Sequence, residues 1–238
     1  IHPIEEASKL VQATVPGAVF HVDAIQAYGK VVIRPKQQGI DLLSVSSHKF
    51  HGPKGAGFLY CSSKVNLHPI IFGGGQQSGM RSGTENVPGA AGIGLAAQLA
   101  YKNCEQKKAH LNELRRYFLE GIHKLEGITV NGWDETVDGD ECLERRAPHI
   151  VSVSFSGVRS EVLLNALSDR GIYVSSGSAC SSNHPALSST LQAIGLDKKL
   201  IEGTLRFSFC ENTTKEELDQ ALKALQELLP MLRRYTRR

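Results

Sequence analysis

The chain has 238 residues, of which 41% are hydrophobic and 21% charged, and its formal net charge is +3. This composition is typical of a globular protein large enough to bury a core in one or two domains. No apolar run approaches the roughly 18 residues of a transmembrane helix. Much of the positive excess lies in the final segment RRYTRR, which favours a solvated tail over a nucleic-acid surface. We therefore expect neither membrane nor nucleic acid among the main partners.

The cysteines indicate a cellular compartment. Their number is odd, their spacing is wide, and no C-x-x-C pair occurs among positions 61, 104, 142, 180 and 210. This pattern argues against a disulfide framework or a zinc site, and it predicts a reducing, cytoplasmic compartment and no metal. Because the chain opens as if within a fold and without Met, we expect the natural protein to begin upstream of Ile1.

The first part of the chain, residues 1–104, alternates helical and strand patterns. IEEASKLV is an amphipathic helix pattern, whereas AVFHVDA, DLLSVSS and GAGFLYCS are strand patterns, the last returning after a Gly-Pro turn. Such alternation predicts an α/β architecture. One long helix is expected next, with Pro88 near its start and Gly127 past its end.

The second part, residues 105–238, is predicted to be a small α+β domain. GITVNG, HIVSVSF, GIYVSS and TLRFSF are strand patterns, and SEVLLNALSDRG predicts a helix with Ser160 as its N-cap. The acidic segment GWDETVDGDECLERRAP is expected to be an exposed loop. A final helix should open with a capping box in TTKEE, bury a leucine stripe, and kink or end early at Pro230.

Lys49, in the segment SSHKFHGPKGAG, has three possible roles: a phosphate clamp, a salt-bridge lysine or a nucleophilic amine. The order of residues does not match G-x-x-x-x-G-K-[ST], so a P-loop is excluded by spacing. Lys49 directly follows an apolar strand, at the end where α/β sheets place their ligands. An amine held there and partly desolvated can attack an aldehyde.

An upstream strand ends in Asp23, and Gln26 follows three residues later. A carboxylate on a neighbouring strand could hold the proton of a pyridinium ring, which pyridoxal phosphate needs as an electron sink. From the residues alone, this interpretation and a structural salt bridge between Asp23 and Lys49 remain equally open.

Cys180 lies in SSGSACSSNHPALSS, a run of small and polar residues between a strand and a helix pattern. A free cysteine commonly fills a packing slot. In a Ser/Gly loop it has little to pack against, so a reactive thiol is favoured.

Four segments taken together, HVDAIQAYGK, DLLSVSSHKFHGPKGAGFLY, GGGQQSGMRSGTENV and VSSGSACSS, resemble the cysteine desulfurases of the NifS/IscS type. These belong to the class V aminotransferase family of fold type I pyridoxal-phosphate enzymes. The resemblance implies that Lys49 binds the cofactor covalently, that Asp23 contacts the ring nitrogen, and that Gln26 bonds the ring hydroxyl. It further implies that residues 1–104 are part of the large cofactor-binding domain.

The same resemblance assigns the remaining site residues. Ser46 and His48 would hold the cofactor phosphate, and Thr84 would reach the phosphate of a neighbouring subunit in a homodimer. Arg206 would clamp the carboxylate of L-cysteine, although a surface arginine at a strand edge is the simpler alternative. Cys180 would take the sulfur as a persulfide and pass it to an iron–sulfur scaffold or another acceptor protein.

Two other functions remain compatible with the sequence. One is a related class V enzyme, such as an aminotransferase or a selenocysteine lyase. The other is a non-catalytic chain that only mediates interactions. Because the family's phosphate-binding loop has no counterpart in residues 1–45, we expect this chain alone to bind pyridoxal phosphate weakly or not at all.

Overall fold

Two separate sheets organise the chain, which is described here from a computed structural model covering residues 1–176 and 188–236. Contacts divide the molecule into an N-terminal unit, residues 2–108, and a C-terminal unit, residues 109–238 together with Ile1. Both units contain helices and strands, so the predicted α/β class is confirmed.

The N-terminal unit contains a three-stranded sheet in the order β1-β2-β3. β1 is parallel to β2, and β3 returns antiparallel to β2. β1 has only three residues, fewer than the sequence pattern suggested. The strands and helices are β1 (His21–Asp23), β2 (Leu42–Ser46), β3 (Gly57–Cys61), α1 (Ile4–Thr14) and α2 (Val87–Tyr101).

Alternation along β2 gives this sheet two different faces. Leu43 and Val45 are buried, whereas Ser44 and Ser46 on the opposite face are half-buried. The buried side forms a small core with Ala24, Ile40, Phe50 and Ala96. A group of aromatic rings extends this core, because Tyr28 contacts Phe50, Phe58 and Tyr101 at centroid distances of 5.0–5.3 Å.

The C-terminal unit contains a four-stranded antiparallel sheet in the order β4-β5-β7-β6. Its core is formed by apolar residues of the sheet and of three helices, α3, α5 and α8. The first helix, α3 (Cys104–Ile122), begins before the boundary at residue 108 and contributes residues 109–122 to this unit. The other elements are β4 (Ile128–Asn131), α4 (Glu135–Asp138), β5 (Ile150–Phe155), α5 (Ser160–Ser168), β6 (Ser175–Ser176), α6 (Ser189–Ala193), α7 (Lys198–Glu202), β7 (Thr204–Ser208) and α8 (Lys215–Thr236).

The predicted long helix is wrong. It is two helices, because α2 ends at Tyr101 and α3 begins at Cys104. Asn103 adopts a left-handed conformation with φ of 56°. Asparagine is among the few residues that tolerate this region, and a helix cannot continue through it.

The last helix does not end early at Pro230. Pro230 lies inside α8, which continues to Thr236. The capping box is confirmed in one register, since the Thr214 amide donates to Glu217 Oε2 at 2.9 Å and Glu217 N donates to Thr214 Oγ1 at 3.3 Å. A strong start and a buried leucine face therefore outweigh the loss of one backbone donor at Pro230.

Three smaller expectations need correction. The acidic segment is not a plain exposed loop, because it contains α4, a 3₁₀ segment at Asp140–Arg145 and the buried residues Asp134 and Cys142. Only the last two residues of GIYVSS form a strand. Ser160 is the first residue of α5, and Arg159 takes the N-cap position without a side-chain cap bond.

Candidate active site

The carboxyl ends of β1 and β2 lie side by side and carry most of the predicted site residues. The parallel register pairs Asp23 with Ser44, so β1 ends beside the middle of β2. β2 continues two residues to Ser46 and leads into the 3₁₀ turn Ser47–Phe50, which carries Lys49. The structure thus brings Asp23, Ser46, His48 and Lys49 to one edge of one sheet, where α/β proteins bind ligands.

The turn that carries Lys49 is fixed at both ends by buried residues. Ser47 is fully buried, and its hydroxyl bonds to the carbonyl oxygens of Pro53 and Ala56, the latter at 3.0 Å. Phe50 is 2% exposed. Between them, His48 is exposed and Lys49 is half-buried. The side chains of these two residues are therefore presented from a backbone that cannot easily shift.

A strained residue closes the same turn. His51 has φ of 66°, in the left-handed region that disfavours side chains with a Cβ. The amides of His51 and Gly52 both donate to the Ser47 carbonyl. A Cβ on Gly52 would lie 2.8 Å from Ser47 Cβ, so this position requires glycine. Strain of this kind persists only where the surroundings enforce it.

Lys49 forms no ion pair with any carboxylate in the described part of the chain. The salt-bridge alternative with Asp23 therefore has no support in the contacts. The Asp23 side chain is exposed, and its Oδ1 accepts a hydrogen bond of 2.9 Å from the Ile25 amide. That bond orients the carboxylate from its own turn and leaves the second oxygen available.

Other polar groups share the face of the sheet with Asp23. Ser46 Oγ lies 2.8 Å from His48 Nδ1. His21 precedes Asp23 by two residues and so faces the same way, and its Nε2 lies 2.7 Å from Ser44 Oγ. Sequence analysis gave His21 no role, although strand alternation alone places it on the face of Asp23.

Two further predicted residues lie elsewhere in the N-terminal unit. Gln26 is exposed in the turn that follows β1. Thr84 is exposed in the segment between the 3₁₀ turn Gln76–Gly79 and α2. Neither side chain forms a hydrogen bond within the described residues, so both are free to contact another molecule.

Arg206 lies in the C-terminal unit, on a row of polar residues that crosses the whole sheet. The register aligns Asn131 with Ser152, Ser152 with Arg206, and Arg206 with Ser175. β7 lies between β5 and β6, so Arg206 is not on an edge strand, contrary to the simpler alternative.

The guanidinium of Arg206 is only partly satisfied. Its Nη2 donates to Ser175 Oγ at 3.3 Å, and its buried Nε has no partner within residues 1–176 and 188–236. A buried donor without a partner is costly, which is typical of a group that binds an anion.

Cys180 lies outside the described residues, in segment 177–187. Of the cysteines within the described residues, Cys210 is half-buried. Cys142 is buried, Cys61 is exposed, and Cys104 is half-buried, where burial raises the pKa of its thiol and so disfavours the reactive thiolate. Among the described residues no three His, Cys, Asp or Glu side chains are arranged to hold a metal.

None of the helices in the described ranges combines the length and apolar character needed to cross a membrane.

Comparison with known proteins identifies the class. Residues 1–221 match the model of the class V aminotransferases, and the chain belongs to this family, whose members depend on pyridoxal phosphate. A cysteine desulfurase of Nostoc sp. is 38% identical over 236 residues, which is 98% of this chain and 56% of that protein.

Solved structures agree with this assignment. A NifS-like protein superposes with a TM-score of 0.84 and 36% identity, covering 98% of this chain and 58% of its own. SspA in complex with cysteine gives a TM-score of 0.66 and 29% identity, covering 90% and 56%. The chain thus spans little more than half the length of the proteins that it matches.

Proposed function

We propose that this chain carries the cofactor-binding lysine and the sulfur-accepting cysteine of a pyridoxal-phosphate-dependent cysteine desulfurase. The reaction removes sulfur from L-cysteine and yields L-alanine and a persulfide on Cys180. The observation that carries the proposal is the adjacency of β1 and β2, which sets Asp23 and the Lys49 turn at neighbouring carboxyl ends of parallel strands. The likeness to a desulfurase of Nostoc sp. supports the same reaction.

The residues at this edge fit pyridoxal phosphate. The free oxygen of Asp23 can hold the proton on a ring nitrogen, and the Ser46–His48 pair offers a hydroxyl and an imidazole for a phosphate. Gln26 is exposed in the intervening turn and can donate to a ring hydroxyl. When bound, the cofactor supplies an aldehyde that captures amines and a ring that stores the electron pair left by a departing α-proton.

Lys49 has the two properties that the reaction requires of its amine. It has no carboxylate partner among the described residues, so its side chain can turn toward an aldehyde. Its backbone is fixed by Ser47 and Phe50, so the amine returns to one position between steps. Lys49 can therefore capture the cofactor and afterwards carry a proton between substrate atoms.

The C-terminal unit supplies substrate recognition and the thiol. The guanidinium of Arg206 can bind the carboxylate of L-cysteine in a bidentate manner, and its unsatisfied Nε supports this role. The Cys180 thiolate attacks the sulfur of L-cysteine, so an S–S bond forms and the C–S bond breaks. Carbon keeps the electron pair and takes a proton to give alanine, and the persulfide holds the transferred sulfur.

The partners follow from this chemistry. L-cysteine is the proposed substrate, and the structural likeness to SspA in complex with cysteine supports it. The persulfide must be passed to an acceptor, for which we propose an iron–sulfur scaffold or another cytoplasmic protein. Thr84, exposed and without a bond in the described residues, is proposed to contact the phosphate site of a second subunit in a homodimer.

The decisive experiment treats the purified chain with excess pyridoxal phosphate and L-cysteine. Borohydride reduction should place the cofactor on Lys49, mass spectrometry should find one added sulfur atom on Cys180, and alanine should be released. Cys180→Ser should keep the Lys49 adduct but lose both the persulfide and alanine. Cys61→Ser, at an exposed cysteine of the other unit, should behave as the wild type.

Other outcomes would contradict the proposal. A Lys49 adduct with unchanged alanine formation in Cys180→Ser would indicate a related class V enzyme. No adduct and no persulfide, even at saturating cofactor, would favour a chain that only mediates interactions.

A further inference from the structure

Lys30 is a charged residue for which the proposed reaction has no use, yet it bonds directly to the reactive lysine. Its Nζ donates to the main-chain carbonyl of Lys49 at a distance of 2.5 Å. The bond is charge-assisted and partly buried, which makes it stronger than an exposed contact between neutral groups. It fixes the peptide group that immediately follows the Cα of Lys49.

The turn that presents Lys30 is built to reach this position. It begins directly after Asp23, and the amides of Ala27 and Tyr28 both donate to the Ala24 carbonyl. Gly29 has φ of 78°, and a Cβ there would lie 3.0 Å from Phe50 Cβ. The turn therefore packs closely against the residue next to Lys49.

Aromatic packing gives a second, independent link between the same two segments. The ring of Tyr28 lies 5.0 Å from that of Phe50. The Gly29 amide donates to the Tyr101 hydroxyl at 3.2 Å, and this hydroxyl donates to the Val31 carbonyl at 3.3 Å. The turn is thus held from both sides.

The position is an unfavourable one for an ammonium group. Burial lowers the pKa of Lys30, and the nearby positive charge of Lys49 lowers it further. A neutral, apolar side chain would pack here without that cost. Compared with an apolar side chain, the ammonium group of Lys30 contributes one further interaction, its hydrogen bond to the Lys49 carbonyl.

We propose that Lys30 is a positioning residue that fixes the backbone of Lys49, and with it the direction in which the reactive amine leaves the chain. Because the turn that presents Lys30 begins directly after Asp23, the bond also ties the carboxylate-bearing segment to the amine-bearing one. The inference rests on the proposed function, since the amine of Lys49 is reactive only under that proposal.

The test compares three variants of the full chain. Lys30→Met removes the donor and keeps the length of the side chain, Lys30→Arg keeps charge and donor, and Lys36→Met alters an exposed lysine of the same unit. The first readout is amide hydrogen exchange at His51 and Gly52 in cofactor-free protein. The second is the rate at which Lys49 is trapped with pyridoxal phosphate and borohydride.

In Lys30→Met we expect exchange at His51 and Gly52 to be about tenfold faster and trapping of Lys49 about tenfold slower, the size expected when one charge-assisted bond is lost. Lys30→Arg should restore both rates to within about threefold, which a purely space-filling role would not require. In Lys30→Met, amide exchange in β5 should stay at the wild-type rate. In Lys36→Met, both the exchange at His51 and Gly52 and the trapping of Lys49 should stay at wild-type rates.

Unchanged exchange at His51 and Gly52 in Lys30→Met would overturn the inference, whether or not Lys49 reacts. If wild-type Lys49 is never trapped, the proposed function fails instead, and the exchange rates still decide the role of Lys30. Should circular dichroism show that Lys30→Met does not fold, Lys30→Gln replaces it, and wild-type exchange in that variant would overturn a role for the charge.

Discussion

The two units of this chain are stabilised in different ways. Each contains a sheet with one apolar and one polar face. Counted over residues 1–176 and 188–236, the buried core has twenty apolar residues in the C-terminal unit but six in the N-terminal unit. Both polar faces carry candidate site residues. The cofactor-binding candidates nevertheless lie in the unit with the smaller core.

In the N-terminal unit, close backbone contacts and buried hydrogen bonds compensate for the small core. Ser47 is buried and bonded to two carbonyl oxygens, and Gly57 approaches the carbonyl of Val45 too closely for any Cβ. Local geometry, rather than buried apolar area, therefore fixes the Lys49 turn. We therefore expect the C-terminal unit to respond most to loss of volume and the N-terminal unit to added atoms.

The largest effect is expected for Phe118→Ala. Phe118 is fully buried, and its ring lies 4.9 Å from that of Phe207 and 5.5 Å from that of Phe209. Truncation leaves a cavity at the centre of the C-terminal core and should lower the free energy of unfolding by about 4 kcal/mol. Urea denaturation followed by the fluorescence of Trp133, the single tryptophan, measures this unit directly.

Tyr235→Ala is the matched control for this prediction, because Tyr235 is 78% exposed in α8. It should change the free energy by less than about 0.5 kcal/mol. A loss below about 1 kcal/mol in Phe118→Ala would mean that the core repacks and that the contrast between the units is overstated.

Much of this fold could be predicted from sequence because the signals were local. The apolar strand patterns predicted β2, β3, β4, β5 and β7, and the spacing of the leucines predicted the buried face of α8. The failures came from single residues whose effect depends on context. Asn103 ends a helix by its backbone conformation, and Pro230 is accommodated by a helix that packing already stabilises.

The site was predictable in part for the same reason. Asp23 ends one strand pattern and Lys49 closely follows another, so the local pattern predicts that both lie at strand ends. The bond from Lys30 to Lys49 joins residues nineteen positions apart, and no local pattern reports it. The role of Cys180 stays a prediction, since it lies outside the described residues.

An intermediate effect is expected for Gly57→Ala in the N-terminal unit. The new Cβ would lie 2.5 Å from the carbonyl oxygen of Val45, and since that oxygen belongs to the paired strand β2, it cannot move without disturbing the sheet. We expect the free energy of unfolding of this unit to fall by about 2 to 3 kcal/mol, as measured by amide hydrogen exchange in β2 and β3.

Gly94→Ala provides the contrast within the same unit. Gly94 lies inside α2, and a Cβ there meets nothing within 4 Å. This substitution should leave amide exchange unchanged or slow it, because the free energy of unfolding should rise by up to about 1 kcal/mol. Equal effects of Gly57→Ala and Gly94→Ala on amide exchange would show that close backbone approach does not stabilise this unit.

The smallest effect concerns a polar bond in the C-terminal unit, and it tests whether core packing alone explains that unit. Asp134 caps α4 through the amide of Thr136 and lies 2.7 Å from His123 Nε2. Burial opposes ionisation of this carboxyl, but the bonds from Thr136 and His123 outweigh it, so the pKa of Asp134 is lowered. Its contribution is therefore complete above the unfolded pKa, near 3.8, and is lost as pH falls through the folded value.

Asp134→Asn keeps the helix cap but removes the charge. It should lower the free energy of unfolding by about 1 kcal/mol at pH 7. Because the wild type loses this contribution on acidification, the difference between the two proteins should shrink as the pH falls below about 4, toward the lowered pKa of Asp134. Urea denaturation at several pH values, again followed by Trp133, measures it. A difference that stays constant down to pH 3 would show that the carboxylate charge adds nothing, and packing would then suffice for the C-terminal unit.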